Sequence, residues 1–344
     1  MDTKTFTTKK GASLQFTTLG FGAAPLGDLF EKLDEVVAID AVRAAYDTGM
    51  RVVDTSPHYG NGISESRCGT AVRTMPRDEV IFSTKVGRVM DPFTPLAPKD
   101  PNVFSPGFAG GFPHKSNFDY SYDGAMRSVE QSLLRTGLDR IDVLLIHDCD
   151  VWTHGTQDVD RRFSEAMNGA YKALDKLRAD GTVKAIGCGL NEADMCERFV
   201  KAGDFDVMLL AGRYSLLEQP ALESFLPLAV ERNIGIILAG VFNSGILATG
   251  PIPHAKYNYG DASPEIMKRV GDIQKVCERH GVPLHRAALH FATFHPAVVT
   301  VILGGVKRSE VEANAKAIQE PVPSALWADL KSEGLLAPAA HTPN

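Results

Sequence analysis

Nowhere in the 344 residues does an apolar run approach the roughly 18 residues that a membrane-spanning helix needs, so no membrane partner is expected. Cysteine is scarce. The five thiols (Cys68, Cys149, Cys188, Cys196 and Cys277) are widely spaced with no C-x-x-C pair, which excludes a zinc cage or disulfide frame and fits reduced cysteines in a cytoplasmic protein. No dense block of basic residues occurs either. The 36 Lys and Arg against 42 Asp and Glu leave a net charge of −6, without the electrostatic footprint of a nucleic-acid binder. Residues Met1 to Lys10 are polar and Thr-rich and lack the apolar stretch of a secretory signal. No G-x-G-x-x-G follows an early strand, which weakens a Rossmann-type dinucleotide fold.

What is present is a soluble globular composition, 44% hydrophobic and 23% charged, with enough apolar surface for a large core. At about 150 residues per domain the length suggests about 2.3 domains, or one large barrel with insertions. Short apolar runs read as buried parallel strands at Thr18 to Phe21, Arg51 to Asp54, Val80 to Val86, and Asp142 to Ile146. The series continues at Val183 to Gly187, Val207 to Leu210, Gly235 to Ala239, and Val298 to Leu303. Helical spacing lies between them: Glu35–Asp47, Tyr122–Arg135, Ala166–Ala179, Asp194–Lys201, Leu222–Arg232, Pro264–His280 and Ser309–Ile318.

Connection lengths decide between a doubly wound sheet and a barrel. Helix-to-strand joints are short, whereas the joints from Gly87 to Tyr120, Asp148 to Asp160 and Val241 to Ser263 are long. Insertions gathered on the strand C-terminal face favour one α/β (β/α)8 TIM barrel over residues 1–344. Residues 1–16 read as an N-terminal β-hairpin turning at Gly11 and plugging the barrel bottom. Residues 88–118 carry Phe93, Phe104, Phe108, Phe112 and Phe118 of the 17 phenylalanines, a load that a solvated linker would not bear. The expectation is an ordered loop acting as a substrate lid.

Four polar residues fall at or just past neighbouring strand ends: Asp54, Tyr59, Lys85 and His147. Singly, each reads as a structural polar residue. Together they make chemical sense, because a tyrosine with an ordinary pKa of about 10 is a poor acid or base near neutrality. A lysine ammonium lowers that pKa, an aspartate keeps the lysine charged, and a neutral histidine donates to a substrate oxygen. No regular ligand spacing supports a metal around His147.

The run Asp54-Thr55-Ser56-x-x-Tyr59-Gly60-x-Gly62-x-Ser64-Glu65-x-x-x-Gly69 resembles the first signature of the aldo-keto reductases. Lys85 and His147 fall at that family's other catalytic positions, and Leu19 to Gly27, with Gly22 and Ala23, is similar to its first strand and turn. The resemblance implies that Tyr59 is the general acid/base, that Lys85 and Asp54 tune it, and that His147 orients a carbonyl while hydride passes to or from a nicotinamide.

The cofactor positions depart from the family pattern in a way that resembles its sugar-oxidising branch, the L-fucose or D-threo-aldose dehydrogenases, with relatives acting on pyridoxal and L-galactose. Asn191 in Gly187-Cys188-Gly189-Leu190-Asn191 stands near the carboxamide-holding asparagine, and Phe242 replaces a stacking tyrosine. Phe242-Asn243-Ser244-Gly245 suits a backbone clamp for the pyrophosphate. Gly304-Gly305-Val306-Lys307-Arg308-Ser309-Glu310, with Asn314, resembles the adenosine-binding segment at a helix start, with Ser309 as an alternative N-cap. Glu310 stands where the family keeps a phosphate-binding arginine and repels a 2′-phosphate, while Lys307 and Arg308 attract one; NAD is favoured over NADP.

Trp152 and His154 are placed in the loop after the fourth strand and His254 in the loop after the seventh. With Phe93 and Phe112, Trp152 and His254 are candidate substrate contacts. The expected partner is a small carbonyl, lactol or sugar, and the chain is expected to be a monomer or small homo-oligomer. Rival readings are pyridoxal oxidation, general aldehyde reduction, a nucleotide-sensing barrel without turnover, and a metal-dependent hydrolase.

Overall fold

The structure is a computed structural model that describes residues 1–95 and 108–343. Its strands are β1 (Thr3–Thr7), β2 (Ser13–Thr17), β3 (Leu19–Gly22), β4 (Val52–Asp54), β5 (Ile81–Val86), β6 (Arg88–Pro95) and β7 (His114–Phe118). They continue with β8 (Val143–His147), β9 (Ala185–Leu190), β10 (Val207–Ala211), β11 (Gly235–Ala239), β12 (Lys256–Tyr257), β13 (Gly260–Asp261) and β14 (Val298–Leu303). Eight of them close a parallel barrel in the order β3-β4-β5-β8-β9-β10-β11-β14, with β14 pairing back onto β3. The chain therefore forms the (β/α)8 fold that its connection lengths imply.

Alternation along each strand sorts side chains between two cores. Outward-facing residues such as Val53, Phe82, Leu144 and Ile146 pack beneath the surrounding helices. Inward-facing Val52, Ile81, Val143, Leu145, Val207 and Leu209 fill the barrel, and Phe6, Leu14 and Phe16 of the β1–β2 hairpin join them. That hairpin turns at Gly11, whose φ of 83° suits glycine, and closes the barrel from below. Burying each of its large side chains contributes roughly 1.5–3 kcal/mol.

The helices are α1 (Glu35–Asp47), α2 (Ile63–Val72), α3 (Tyr122–Thr136), α4 (Val151–Asn168), α5 (Ala170–Ala179) and α6 (Ala193–Ala202). They are followed by α7 (Phe225–Glu231), α8 (Ile246–Thr249), α9 (Pro264–Arg279), α10 (Leu284–Thr293), α11 (Arg308–Ala317) and α12 (Ser324–Ser332). Caps set several boundaries. Asp34 accepts from Val37 N at the start of α1, Ser121 from Gly124 N at α3, and Ser263 from Ile266 N at α9. Among the described residues no helix is long and apolar enough to cross a membrane, and the five cysteines are free and buried.

Three expectations need correction. The stretch after the fourth barrel strand is no long loop. Asp150 accepts from Thr153 N and Glu192 from Val151 N and Trp152 N, so these carboxylates start α4 at Val151 despite its Gly155 break. Trp152 and His154 thus sit on a helix. The stretch after β5 is also partly regular: β6 and β7 form an antiparallel hairpin with Arg88 opposite Phe118. Its Phe104 lies outside the described residues. Finally, α11 begins at Arg308 with Lys307 at the N-cap position, so Ser309 is inside the helix rather than capping it.

Candidate active site

The same alternation that buries Val52, Ile81 and Val143 places Asp54, Lys85 and His147 inside the barrel at the C-terminal ends of β4, β5 and β8. Their neighbours leave room. On β9, Gly189 faces Lys85, where an added Cβ would lie 3.2 Å from Lys85 Cε. Tyr59 comes from the short helical turn Tyr59–Gly62 that follows β4, which brings it back over the strand ends. The structure thus unites all four residues of the expected tetrad.

Lys85 Nζ donates to Asp54 Oδ2 at 2.6 Å, to the Thr55 carbonyl at 2.8 Å and to Tyr59 Oη at 3.2 Å. Ser83 donates to the other Asp54 oxygen at 2.7 Å, so the carboxylate is held from both sides. Burial pulls the Lys85 pKa down, but Asp54 and Tyr59 override it and the net shift is upward, so the ammonium stays charged. At Tyr59 Lys85 pulls the pKa down, as the sequence implies, but does not decide the balance. Burial, reinforced by Asp54, outweighs the stabilising pull of Lys85, and the phenol is pushed up to about 12. His147 is held well below the usual histidine range, first by burial and then by Lys85, Arg88 and His58. Burial and these cations thus favour the neutral imidazole.

The segment leading into β7 reaches this centre through Phe108, a buried residue whose ring lies 5.2 Å from that of His58 and 5.9 Å from that of Tyr59, centroid to centroid. Phe112 is tied to the turn after β4 by its N–H to the Gly60 carbonyl at 2.9 Å, with its ring against His114. Phe93 is 91% exposed and Trp152 is exposed on α4; neither packs on the tetrad. His254 is exposed and sits 3.9 Å from Asp261. Arg88 and Asp148, which were not singled out in the sequence, are paired at 2.8 Å beside His147. A signal for them existed in their places directly after β5 and β8, where a barrel builds its site.

A model of the aldo/keto reductase family matches residues 18–333. The chain belongs to the aldo-keto reductase family. It is an oxidoreductase of this family, whose members use NAD(P)H. The chain is similar to a pyridoxal 4-dehydrogenase of Microbacterium luteolum, 38% identical over 94% of this chain and 95% of that protein. A D-threo-aldose 1-dehydrogenase of a Pseudomonas species is 39% identical over 94% of this chain and 96% of its own. Among solved structures, an aldo-keto reductase from Bacillus halodurans in its holo form superposes with a TM-score of 0.73 at 22% identity, covering 96% of each chain, a likeness of fold.

On this aldo-keto reductase barrel the tetrad occupies the arc β4-β5-β8, and the expected cofactor residues follow the strands that complete the circle. Gly22 pairs with Asp54, and Ala23 donates to the Asp54 carbonyl while accepting from Ser64, so Ala23 is buried backbone support. Asn191 follows β9 and turns its amide toward Asp150 at 3.2 Å and Asp148 at 3.4 Å. Phe242 is half-buried after β11. The Asn243 amide is drawn inward, accepting from Ser215 and donating to the Gly212 carbonyl at 3.2 Å. Ser244 and Gly245 have φ of 60° and 102°, and a Cβ on Gly245 would meet nothing within 4 Å. That open, glycine-lined rim fits a dinucleotide phosphate backbone.

After β14, Gly304 is exposed beside Pro25, Gly305 is buried, and Lys307 is exposed. Glu310 Oε2 accepts from Val306 N at 2.9 Å and so holds the turn before α11. Arg308 does not face this turn. Its guanidinium donates to both oxygens of Asp40 at 2.8 and 2.9 Å and to Asp47 at 2.9 Å, all on α1. Asn314, half-buried on α11, accepts at its carbonyl from Ile318 N.

Proposed function

We propose that the protein oxidises a sugar lactol, an aldose such as L-fucose or L-galactose, to its lactone, with NAD as the favoured cofactor. The observation that carries the reading is Tyr59 Oη, 3.2 Å from a charged Lys85 and facing a neutral His147. The C1 hydroxyl of the lactol sits between the Tyr59 oxygen and the His147 imidazole. Tyr59 takes the hydroxyl proton, Lys85 stabilises the phenolate that this step requires, and His147 donates to the same oxygen as it becomes the lactone carbonyl. When bound, the nicotinamide ring supplies the acceptor for the hydride that leaves C1.

Glycines 245 and 304 and the start of α11 would hold the dinucleotide, with Phe242 beside its ring. The engagement of Arg308 by Asp40 and Asp47, with a carboxylate at Glu310, supports NAD, since a 2′-phosphate would meet Glu310 with Lys307 as its counter-charge. Asp148, Asn191 and Arg213 give the mouth a polar rim suited to a polyol, and the similarity to the D-threo-aldose enzyme points the same way. The similarity to the pyridoxal enzyme supports a second substrate class. The test is nicotinamide absorbance with L-fucose, L-galactose and pyridoxal, each with NAD and NADP. Turnover of an aldose with NAD that is lost in Tyr59→Phe is expected. Turnover of pyridoxal alone moves the assignment to that substrate, and a fully active Tyr59→Phe sinks the mechanism.

A further inference from the structure

Arg88, the first residue of the lid hairpin, is buried with its guanidinium 4.4 Å from the centre of the Phe118 ring. One nitrogen pairs with Asp148 Oδ2 at 2.8 Å and another lies 3.3 Å from His147 Nδ1. Ser56 Oγ also contacts Nδ1, at 2.9 Å, and accepts from His58 N at 3.0 Å. A hydroxyl can donate or accept, so Ser56 suits either imidazole tautomer. Arginine has only donors. A proton on Nδ1 would point at a guanidinium, so Nδ1 must present its lone pair and the single ring proton must sit on Nε2. Asp148 Oδ1 lies 3.3 Å from Nε2.

The geometry points to Arg88 as the positioning residue that holds His147 neutral and in its Nε2–H form, the form whose distal nitrogen donates to a substrate oxygen. The other tautomer would turn a lone pair toward that oxygen and repel it. The groups around the ring are His58 and Tyr59 after β4, Lys85 on β5, Arg88 on β6, Asp148 after β8, and Tyr120, whose hydroxyl donates to the His147 carbonyl at 2.7 Å. Each cation has its own carboxylate, Lys85 with Asp54 and Arg88 with Asp148, so burial leads and Lys85 and Arg88 add to it. That balance disfavours an imidazolium. Arg88 also stacks on Phe118, opposite it in the β6–β7 pairing, so one side chain links the foot of that hairpin to His147.

The kinetic consequence rests on the oxidoreductase reading, but the tautomer does not, and the test separates them. Full-length protein carrying ¹⁵N-histidine is examined by long-range ¹H–¹⁵N correlation between about pH 5 and 8, with His147→Gln identifying the signals. The wild type should show an untitrating Nε2–H ring. Arg88→Met should titrate or mix tautomers in that window and lose kcat on the order of a hundredfold. Arg88→Lys should recover part of both, and Ser56→Ala should keep the Nε2–H pattern. A wild-type Nδ1–H ring overturns the proposal without any variant, as does an Arg88→Met protein with unchanged ring signals and pH profile. A merely structural Arg88 would lower Tm and leave the spectrum alone. Failure of every substrate with the Nε2–H ring intact would count against the lactol reading only.

Discussion

The ring of Phe108 packs on that of Tyr59 with centroids 5.9 Å apart, so the segment proposed as a lid rests on the proposed acid/base. Phe108→Ala removes that wall without touching the Lys85–Asp54 pair. KM for the sugar should rise about tenfold, about 1.4 kcal/mol of lost binding, with cofactor affinity unchanged. Steady-state kinetics with separately varied sugar and NAD checks this, and an unaltered KM would detach the lid from the substrate.

Because Tyr59 is pushed up to about 12, its phenolate is a minor species at neutral pH. Lactol oxidation needs that base. Its kcat/KM should therefore climb with pH by up to tenfold per unit, flattening only as the phenol titrates. Aldehyde reduction uses the protonated form and should stay flat over the same range. Matched pH–rate profiles in both directions decide this; an oxidation rate independent of pH would mean that another group takes the proton.

Much of this site was legible because its chemistry lies at strand ends. Short buried runs that end at Asp54 and His147, or carry Lys85 one residue before the end, advertise both the strand and its functional tip. Less visible were helices without an apolar stripe. In α2 the buried residues include Ser64, Glu65 and Arg67, with Glu65 accepting from Thr84 and Arg135 and Arg67 donating to Asp28, so polar pairing replaces periodicity. The start of α4 depends on Glu192, which is distant in sequence. The direction of Arg308 likewise depends on Asp40 and Asp47 of α1, remote carboxylates that no local motif announces.

Glu310→Gln should keep the contact to Val306 N, since an amide oxygen still accepts, while removing the negative charge beside the α11 N-terminus. Use of NADP relative to NAD should increase by about tenfold in kcat/KM, in line with deletion of one repulsive contact. Parallel assays with the two cofactors test it. An unchanged ratio would place the discrimination elsewhere on the rim.

Phe16 is fully buried at the foot of the barrel, across the molecule from Tyr59. Phe16→Ala should cost about 3–5 kcal/mol of unfolding free energy and leave the KM values of the remaining folded enzyme near wild type. Urea denaturation followed by kinetics at low temperature separates the two effects. A large change in KM without loss of stability would show that the hairpin communicates with the mouth.

That same floor bears on the route of the proton in the proposed mechanism. Beneath Lys85 and Asp54, past the Ser83 hydroxyl that holds Asp54, the barrel is filled by Val52, Leu145, Leu14 and Phe16, whose hydrocarbon side chains carry no protons. On the proposed mechanism, a proton captured by Tyr59 would leave through the mouth that admits the substrate. Bulk buffer can then reach the phenol only when the Phe108 lid region and the occupant above it allow contact. If Tyr59 is the acid/base, a barrel closed from below makes its re-ionisation wait on departure of the product, a coupling that the proposed lactol oxidation would show as slow proton release.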